Sequence, residues 1–274
     1  MTGGLLRAPA RIDGADLLLI ESTYGNRLHK TREETQAELT QAISETLARG
    51  NVIIPSFAVG RTQDVLYALA ELARAGRLPR LSVFIDSPMA ETATLITRRH
   101  LELLTPQAQE LDAWMRHNPS ALQLRYTHEV EDSMALNQIK CGAIIISASG
   151  MCDAGRIKHH LRWNLPRREC SVLITGFQAE GTLGRRLVNG ARSVRIFNED
   201  IAVRAQLRTI GGLSAHADRD GLLAWLRGFA HAPRYTFVVH GERETAVGFG
   251  ATLRSELGWT GVEVPQRGDS RTIA

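Results

Sequence analysis

Short hydrophobic runs alternate with longer amphipathic stretches along this chain. The runs are rich in Val, Ile and Leu and have the length of buried strands; they span 17–21, 52–57, 81–86, 122–126, 143–147, 171–175, 193–197 and 236–240. The amphipathic stretches repeat their apolar residues at helical spacing, with turn residues at their ends; they span 33–49, 61–75, 89–104, 107–116, 218–229 and 244–257. The pattern therefore predicts strands that alternate with helices.

Such alternation is typical of an α/β fold, in which a largely parallel sheet carries helices on both faces. Residues 106–138 depart from the pattern, because Pro106 and Pro119 interrupt them and only 122–126 has strand character. We expect a helical excursion there. The first strand, 17–21, has only a short irregular segment before it, so its neighbours in the sheet are expected to come from later in the chain.

Composition agrees with a globular protein. The 274 residues are 43% hydrophobic and 23% charged, and this length allows one large or two smaller domains. No segment reaches the roughly 18 consecutive apolar residues of a membrane span, and the amino terminus has no secretory signal pattern. We therefore expect a cytoplasmic protein without a membrane partner. The three cysteines show no CxxC spacing, which disfavours a disulfide framework and a cysteine zinc site.

The charge balance suits a polyanionic partner. The formal charge is +4 and the pI is near 9.2, although solvated arginine faces would give the same totals. The chain has only four Trp, four Tyr and seven Phe. If the partner is a nucleic acid, we expect sparse base stacking and mainly backbone contacts.

Three polar residues lie where predicted strands end or helices begin. Glu21 ends a run in IESTYGNR, His216 lies in GLSAHADRDG, and His240 ends a run in VVHGE. Ligands of α/β proteins usually bind at such positions. Taken singly, each residue is more easily explained as the cap of a turn; taken together, they indicate a site. We expect nearby Asp218 to act only as a cap.

Seven motifs occur in order: ESTYGNR, IPSFAVGRTQ, DSPMA, SASGM, GFQAEGTLGRRL, LSAHAD and VVHGE. Together they resemble the β-CASP branch of the metallo-β-lactamase fold. That branch includes bacterial and archaeal RNA-processing ribonucleases and is similar to the endonuclease subunit of the cleavage and polyadenylation factor. The resemblance covers nearly all of residues 14 to 266. It implies a metal-dependent ribonuclease that hydrolyses RNA phosphodiester bonds, with RNA as partner and two zinc ions in full-length members.

The resemblance also implies roles for the three polar residues, which match the family's motifs A, B and C. His240 would be a zinc ligand, with Glu242 or a backbone carbonyl orienting its second ring nitrogen. His216 would act on the scissile phosphate, by stabilising charge or by protonating the leaving oxygen. Glu21 would orient His216 by accepting its second N–H.

Candidate phosphate-binding residues lie in the glycine-rich segments that link predicted strands to helices. Such segments present backbone amides and a helix amino terminus to an anion, although strand-to-helix glycines are also common without one. We expect contacts to RNA phosphates from Ser56, Gly60, Arg61, Ser149, Gly150, Gly181, Arg185 and Ser214. The basic run at 156–162 is expected either to extend this track or to form a solvated helix face.

The sequence also departs from the family. Full-length members carry HxHxDH, a further His and an Asp upstream of ESTYG, and none of these motifs occurs here. One imidazole cannot hold a catalytic zinc, which normally has three protein ligands. We therefore expect an incomplete site that does not retain zinc, and a chain that is inactive alone. A complementing amino-terminal half or a homodimer is the expected protein partner.

The resemblance divides the chain into three regions. Residues 1–30 would be a metallo-β-lactamase remnant with the motif A strand, 31–163 the β-CASP domain, and 164–274 the carboxyl-terminal metallo-β-lactamase region with RNA specificity. The expected fold is thus a β-CASP parallel sheet with flanking helices plus the carboxyl-terminal remnant of an αββα sandwich. The remnant is expected to expose apolar surface that the other half of the sandwich would cover.

Other functions fit the same motifs. The chain is alternatively a catalytically inactive RNA-binding or regulatory paralogue, or a partner subunit, that keeps the cleft without the chemistry. A DNA-directed nuclease of the same branch is a third alternative, but GRTQ, SASGM and the His of HGE favour the RNA group. The sequence leaves open the RNA substrate, the endo- or exonucleolytic mode, the oligomeric state and whether Met1 is the natural start.

Overall fold

The computed structural model describes residues 4–273, which form two compact units. The smaller unit contains Ala8–His29 and 216–273, and the larger unit contains 4–7 and Lys30–Ala215. Residues 1–3 of the expected amino-terminal remnant and residue 274 of the expected carboxyl-terminal region lie outside the described residues.

Strands and helices alternate along most of the described chain, which confirms the predicted α/β class. The strands are β1 (Leu17–Glu21), β2 (Val52–Pro55), β3 (Leu81–Asp86), β4 (Leu122–Tyr126), β5 (Ala143–Ser147), β6 (Ser171–Ile174), β7 (Ser193–Ile196), β8 (Glu199–Ala202), β9 (Gln206–Thr209), β10 (Tyr235–Val239) and β11 (Val262–Glu263). The helices are α1 (Arg32–Leu47), α2 (Arg61–Arg74), α3 (Pro88–Arg99), α4 (Pro106–His117), α5 (Val130–Leu136), α6 (Ile157–Asn164), α7 (Leu183–Val188), α8 (Arg219–Leu226) and α9 (Arg243–Leu257).

The larger unit is built on a six-stranded parallel sheet in the order β4-β3-β5-β2-β6-β9. Alternate residues of the central strands enter two separate cores. Val52 and Ile54 of β2 pack with α1, α2 and α4, whereas Ile53 packs on the other face with α5, α6 and α7. A parallel sheet that is covered on both faces needs apolar residues at every position, which explains the uninterrupted hydrophobic runs.

The larger compact unit extends to Ala215, whereas the end of the β-CASP domain was expected at residue 163. The reason is strand pairing: β6 pairs with β2, and β9 pairs with β6, so residues 164–215 pack with the larger unit. The antiparallel pair β7 and β8 also packs there, through Val194, Ile196 and Ile201. The functional boundaries at 30 and 163 stay a prediction.

The smaller unit has a three-stranded parallel sheet in the order β1-β10-β11. Each residue of β1 pairs with one of β10, so the first strand does find its neighbour far along the chain. Leu18, Ile20 and Val238 pack with α8 and α9 on one face. Leu19, which points to the other face, is 61% exposed, and this leaves apolar surface uncovered in the described unit.

The hydrophobic pattern did not predict β8, β9, β11, α6 or α7. These elements are short and half polar, so they show little periodicity, and pairing with a neighbour is what makes β9 and β11 strands. The predicted helix at 89–104 ends at Arg99 and continues as a 3-10 turn, Leu101–Leu103. Within residues 4–273 no helix is both long and apolar enough to cross a membrane.

Candidate active site and phosphate-binding loops

Parallel pairing brings Glu21 and His240 to one edge of the smaller sheet. Glu21 is paired with Val239, the residue before His240. His216 comes from the segment before α8, whose N-cap is Asp218. The Asp218 carboxylate accepts hydrogen bonds from the backbone N–H groups of Gly221 at 2.8 Å and His29 at 2.9 Å, as expected for a cap.

Glu21 and His216 are directly paired. Oε2 of Glu21 lies 2.9 Å from Nδ1 of His216 and accepts the backbone N–H of Thr23 at 3.2 Å. Partial burial acts to raise the pKa of Glu21, but the hydrogen bonds from His216 and Thr23 outweigh it, so this pKa lies below its ordinary value. An ionised carboxylate on Nδ1–H leaves Nε2 as the ring nitrogen that can hold or release a proton.

The Thr23 hydroxyl lies between the two imidazoles. Its oxygen is 3.1 Å from Nδ1 of His240 and 3.4 Å from Nδ1 of His216, and it donates to the His240 carbonyl oxygen at 3.1 Å. The two rings are stacked with centroids 5.1 Å apart. Thr23 therefore contacts Nδ1 of His240, and the orienting role expected for Glu242 or a backbone carbonyl stays a prediction. The available signal for Thr23 was its place in the ESTYG motif, two residues after Glu21 in the turn that follows β1.

The backbone around His240 is tightly constrained. His240 has a φ of +50°, in the left-handed region that residues with a Cβ occupy at a cost. A Cβ on the next residue, Gly241, would lie 2.9 Å from the carbonyl oxygen of Ser22. The Ser22 hydroxyl also donates to the carbonyl oxygen of Val239 at 3.0 Å. These contacts hold the ends of β1 and β10 together and position the side chains that follow them.

Potential metal ligands converge at this point of the described chain. The ligand atoms of Glu21, His216 and His240 lie within 4.8 Å of one another. Oε2 of Glu21 and Nδ1 of His216, however, are hydrogen bonded to each other. His240, with Nδ1 on Thr23, offers Nε2 as a ligand. A catalytic zinc normally has three protein ligands and one open position, and the Glu21–His216 hydrogen bond engages one potential ligand atom of each of these two residues.

An open cavity of about 510 Å³ lies beside His240. It forms because β11 pairs only with Thr236 and Phe237, so the chain leaves β10 before that strand ends. Arg243 and Arg267 are in its lining, which contains no carboxylate from the described residues. Two cations beside the imidazole make the cavity suited to an anionic group.

Most predicted phosphate-binding residues lie together in the larger unit. They lie in three segments that follow adjacent strands, each a loop or a loop with the start of the next helix: Gly60 and Arg61 after β2, Ser149 and Gly150 after β5, and Gly181 and Arg185 after β6. Because β5, β2 and β6 are parallel neighbours, these loops share one edge of the sheet. Gln178 links two of the loops by donating from Nε2 to the Gly150 carbonyl oxygen at 2.9 Å.

The loop after β2 places a buried cation at a helix start. Gly60, with a φ of +81°, precedes α2, and Arg61 is only 6% exposed and lies 3.4 Å from Asp64. Burial raises the pKa of Asp64 to about 6, although Arg61 opposes this shift. Ser56 is fully buried and its Oγ accepts a hydrogen bond from Thr62 at 3.2 Å. These contacts do not favour the phosphate-binding prediction for Ser56.

The other predicted positions differ in their surroundings. Gly150 has no room for a side chain, because a Cβ would lie 2.8 Å from the Phe57 ring. The guanidinium of Arg185 lies 5.5 Å from the ring centroid of Phe177. Ser214 belongs to the larger unit, although His216 begins a segment of the smaller one. The phosphate-binding roles of these residues stay predictions.

His160, in the basic run at 156–162, does not form part of a surface track. It is fully buried, and its Nε2 lies 2.5 Å from the carboxylate of Asp86. Arg156 also binds that carboxylate, at 2.8 Å. The basic run therefore has a buried part, which binds Asp86, and a part at or near the surface, which includes Lys158 and His159.

The larger unit is a parallel α/β fold whose loops suit an anion. The smaller unit carries a cluster of one Glu and two His near the ends of paired strands. Together these features define a hydrolase-like class of protein. Comparison with known proteins agrees. Residues 62–187 match the Beta-Casp domain family, and residues 200–265 match the family described as the Zn-dependent metallo-hydrolase RNA specificity domain.

Individual relatives give the same result. The chain is 36% identical over 242 residues to Ribonuclease TTHA0252 of Thermus thermophilus, covering 87% of this chain and 54% of that protein. It is 33% identical over 264 residues to an RNase J-like protein of Methanocaldococcus jannaschii, covering 95% and 59%. It is 32% identical over 249 residues to Transcription termination factor FttA of Methanothermobacter thermautotrophicus, covering 87% and 39%.

The chain therefore belongs to the β-CASP family of metallo-β-lactamase-fold proteins, which confirms the predicted resemblance. It spans little more than half the length of the first two relatives, at 54% and 59%.

Proposed function

We propose that this chain is the RNA-handling portion of a metal-dependent ribonuclease, which hydrolyses RNA phosphodiester bonds once its metal site is complete. The Glu21–His216 pair beside His240 is the observation that carries this proposal. It is supported by relatives named as a ribonuclease and an RNase J-like protein, and by a matched family named for RNA specificity.

In this proposal His216 acts at the scissile phosphate. Glu21 accepts the N–H of Nδ1 and keeps the ring in one orientation, while Nε2 of the imidazolium carries a proton toward the leaving oxygen. As the bond between phosphorus and that oxygen breaks, the proton passes to the oxygen and His216 becomes neutral. Thr23 restricts rotation of both rings through its contacts with the two Nδ1 atoms.

We propose that His240 supplies one zinc ligand. When bound, zinc polarises a phosphate and lowers the pKa of an attacking water. The other ligands would come from a complementing amino-terminal half, such as the portion of the longer relatives that this chain does not match. On this proposal the chain alone has an incomplete site and is inactive. A homodimer is the alternative assembly.

A second candidate function is an RNA-binding or regulatory subunit without catalysis. The donor set supports it, because Glu21 and His216 are hydrogen bonded to each other and the described residues offer no metal-ligand cluster beyond these two and His240. Relatives named Transcription termination factor FttA are also among the matches.

Metal content tests the incomplete site. After dialysis, the purified chain is expected to retain less than one zinc per molecule, because too few ligands remain to hold it. Mass-spectrometric metal analysis of the parent and of His240→Ala measures this. Close to two zinc ions per parent chain would contradict the proposal.

Two variants separate the proposed roles in an enzyme restored by fusion to the unmatched portion of the Thermus relative. His216→Ala should lower turnover roughly 10²–10⁴-fold, the range for a general acid or base, while RNA affinity and zinc content stay near those of the parent. His240→Ala should lose zinc together with activity.

His231→Ala is the matched control, since His231 is an exposed histidine of the same unit outside the cluster. The role of His216 would be refuted by a His216→Ala enzyme that turns over RNA like the parent, or that loses zinc as His240→Ala does. A restored parent without activity would favour the non-catalytic alternative.

A further inference from the structure

One surface of the larger unit presents aromatic rings and cations that the proposed reaction does not use. It consists of Lys158, His159 and Trp163 on α6 and Phe197 in the turn between β7 and β8. His159 and Trp163 are four residues apart, so they are neighbours along one side of the helix. Trp163 is 51% exposed and Phe197 is 42% exposed. We refer to these four residues as the stacking surface.

Side-chain contacts already order much of this surface. The rings of His159 and Phe197 lie with centroids 4.4 Å apart and planes tilted by 36°, and Nζ of Lys158 lies 5.0 Å from the Phe197 centroid. Arg162 holds the hairpin to α6 by donating to both carboxylate oxygens of Glu199, at 2.9 and 2.7 Å. The Phe197 ring is therefore held in place while much of it remains in solvent.

The backbone of the turn between β7 and β8 does not favour a phenylalanine at position 197. Phe197 and Asn198 have φ values of +50° and +63°, so both central residues of this two-residue turn are left-handed. Glycine, asparagine and aspartate suit such turns, and a bulky side chain at positive φ is strained. A residue with a strained backbone and an exposed ring indicates that the side chain has a functional role rather than a structural one.

The segment of the chain that carries these residues is rich in positive charge, which fits a polyanion. Between Arg156 and Arg204 the chain has ten Lys and Arg against four Asp and Glu, a net charge of +6, whereas the whole chain has +4. Desolvation, and then the neighbouring His160 and Arg162, lower the pKa of His159. Its ring is therefore neutral near physiological pH and available for stacking.

We propose that the stacking surface binds single-stranded RNA, with unpaired bases stacked on the His159–Phe197 pair and on Trp163, and with nearby cations on the phosphates. Every base has a face that can stack on an aromatic ring, so this contact needs no particular sequence. The inference rests on the proposed function, from which RNA is taken as the ligand. It revises the expectation, drawn from composition, that base stacking is sparse.

Phe197→Gly is the most informative variant, because glycine keeps the left-handed turn and removes only the ring. Trp163→Ala removes the second ring, Trp163→Phe keeps one, and Ile96→Ala alters a side chain that is 50% exposed elsewhere in the unit. Fluorescence anisotropy of a short, labelled single-stranded RNA is measured with each full chain in chelator over a range of salt. Thermal melting confirms that each variant is folded.

Phe197→Gly and Trp163→Ala are each expected to weaken single-stranded RNA binding about 5- to 150-fold, the range for loss of one base stack. Trp163→Phe and Ile96→Ala should bind as the parent does. The salt dependence should be unchanged, because no phosphate contact is lost. Binding of duplex RNA should also be unchanged, since its bases are not free to stack.

The outcomes distinguish this inference from the proposed function. A parent that binds RNA, together with Phe197→Gly and Trp163→Ala variants that bind equally well, would overturn the stacking surface alone. A parent that binds no RNA would remove the basis of both. A variant that changes oligomeric state and keeps its RNA affinity would overturn the inference in favour of an interface between copies.

Discussion

At the scale of single residues, His240 combines a demanding backbone with a chemically useful side chain. Its φ of +50° lies where a residue with a Cβ pays about 1–2 kcal/mol. The contacts of its ring with Thr23 and His216 offset some of this cost. A glycine would suit the backbone at this position, so the presence of histidine is explained by its imidazole.

Substitutions at His240 test this interpretation. His240→Gly should remain within about 1 kcal/mol of the parent in free energy of unfolding, because relief of strain opposes the greater entropy of the unfolded chain. His240→Val should be less stable by about 1–3 kcal/mol, because a β-branched residue is strained at positive φ. Urea denaturation measures both. Equal stability of the Gly and Val variants would show that strain at residue 240 is unimportant.

At the scale of elements, the end of β3 is tied to α5 and α6 by one buried carboxylate. Asp86 accepts hydrogen bonds from Thr127, from Ser133 at 2.6 Å and from Arg156 at 2.8 Å, and His160 lies beside it. Burial acts to raise the pKa of Asp86, but the hydrogen bonds from His160, Ser133 and Thr127 outweigh it and hold this pKa well below its usual range. The ionised carboxylate is therefore integral to the folded structure.

Asp86→Asn should lower the free energy of unfolding by about 3–5 kcal/mol near pH 7, because it breaks a buried charge pair. A depressed carboxyl pKa contributes stability above the unfolded pKa of about 4, and this stability is lost as pH falls toward the folded pKa. The difference between Asp86→Asn and the parent should therefore shrink below about pH 4. Urea denaturation across this range measures it.

Asp64 is a control whose substitution should change stability with pH in the opposite direction. Its pKa is raised to about 6, so its contribution to the free energy of unfolding is present below about pH 4 and is lost as pH rises to about 6. Asp64→Asn should gain stability relative to the parent across that interval. A pH-independent effect of Asp86→Asn would contradict the role given to the ionised carboxylate.

At the scale of the whole molecule, positive charge is concentrated rather than spread. The net charge of residues 156–204 is +6 and that of the whole chain is +4, so the remaining residues together carry a net negative charge. Charge in one region attracts a polyanion more strongly than the same charge distributed evenly.

RNA binding by the chain is therefore expected to survive chelation of metal and to weaken steeply with salt. For single strands the slope of log affinity against log salt is about −0.7 for each phosphate neutralised. Anisotropy titrations at several salt concentrations, with and without chelator, give this slope. Salt-insensitive binding, or dependence on zinc, would contradict it.

Much of the architecture and the three central site residues follow from the sequence alone. The order of strands and helices depends on local periodicity, which is visible in any short window. Glu21, His216 and His240 were singled out because each lies in a motif and close to the end or the start of an element. The expectation that β1 pairs with a later strand also needed only its position near the start of the chain.

Other features depended on contacts between residues distant in sequence, so no local pattern contained them. Thr23 reaches His240 across 217 positions, and only the pairing of β1 with β10 brings them together. Pairing with β6 likewise makes a strand of β9, so the larger compact unit extends to Ala215. His160 and His159 are adjacent in sequence, yet helix geometry buries one against Asp86 and leaves the other beside Phe197 at the surface.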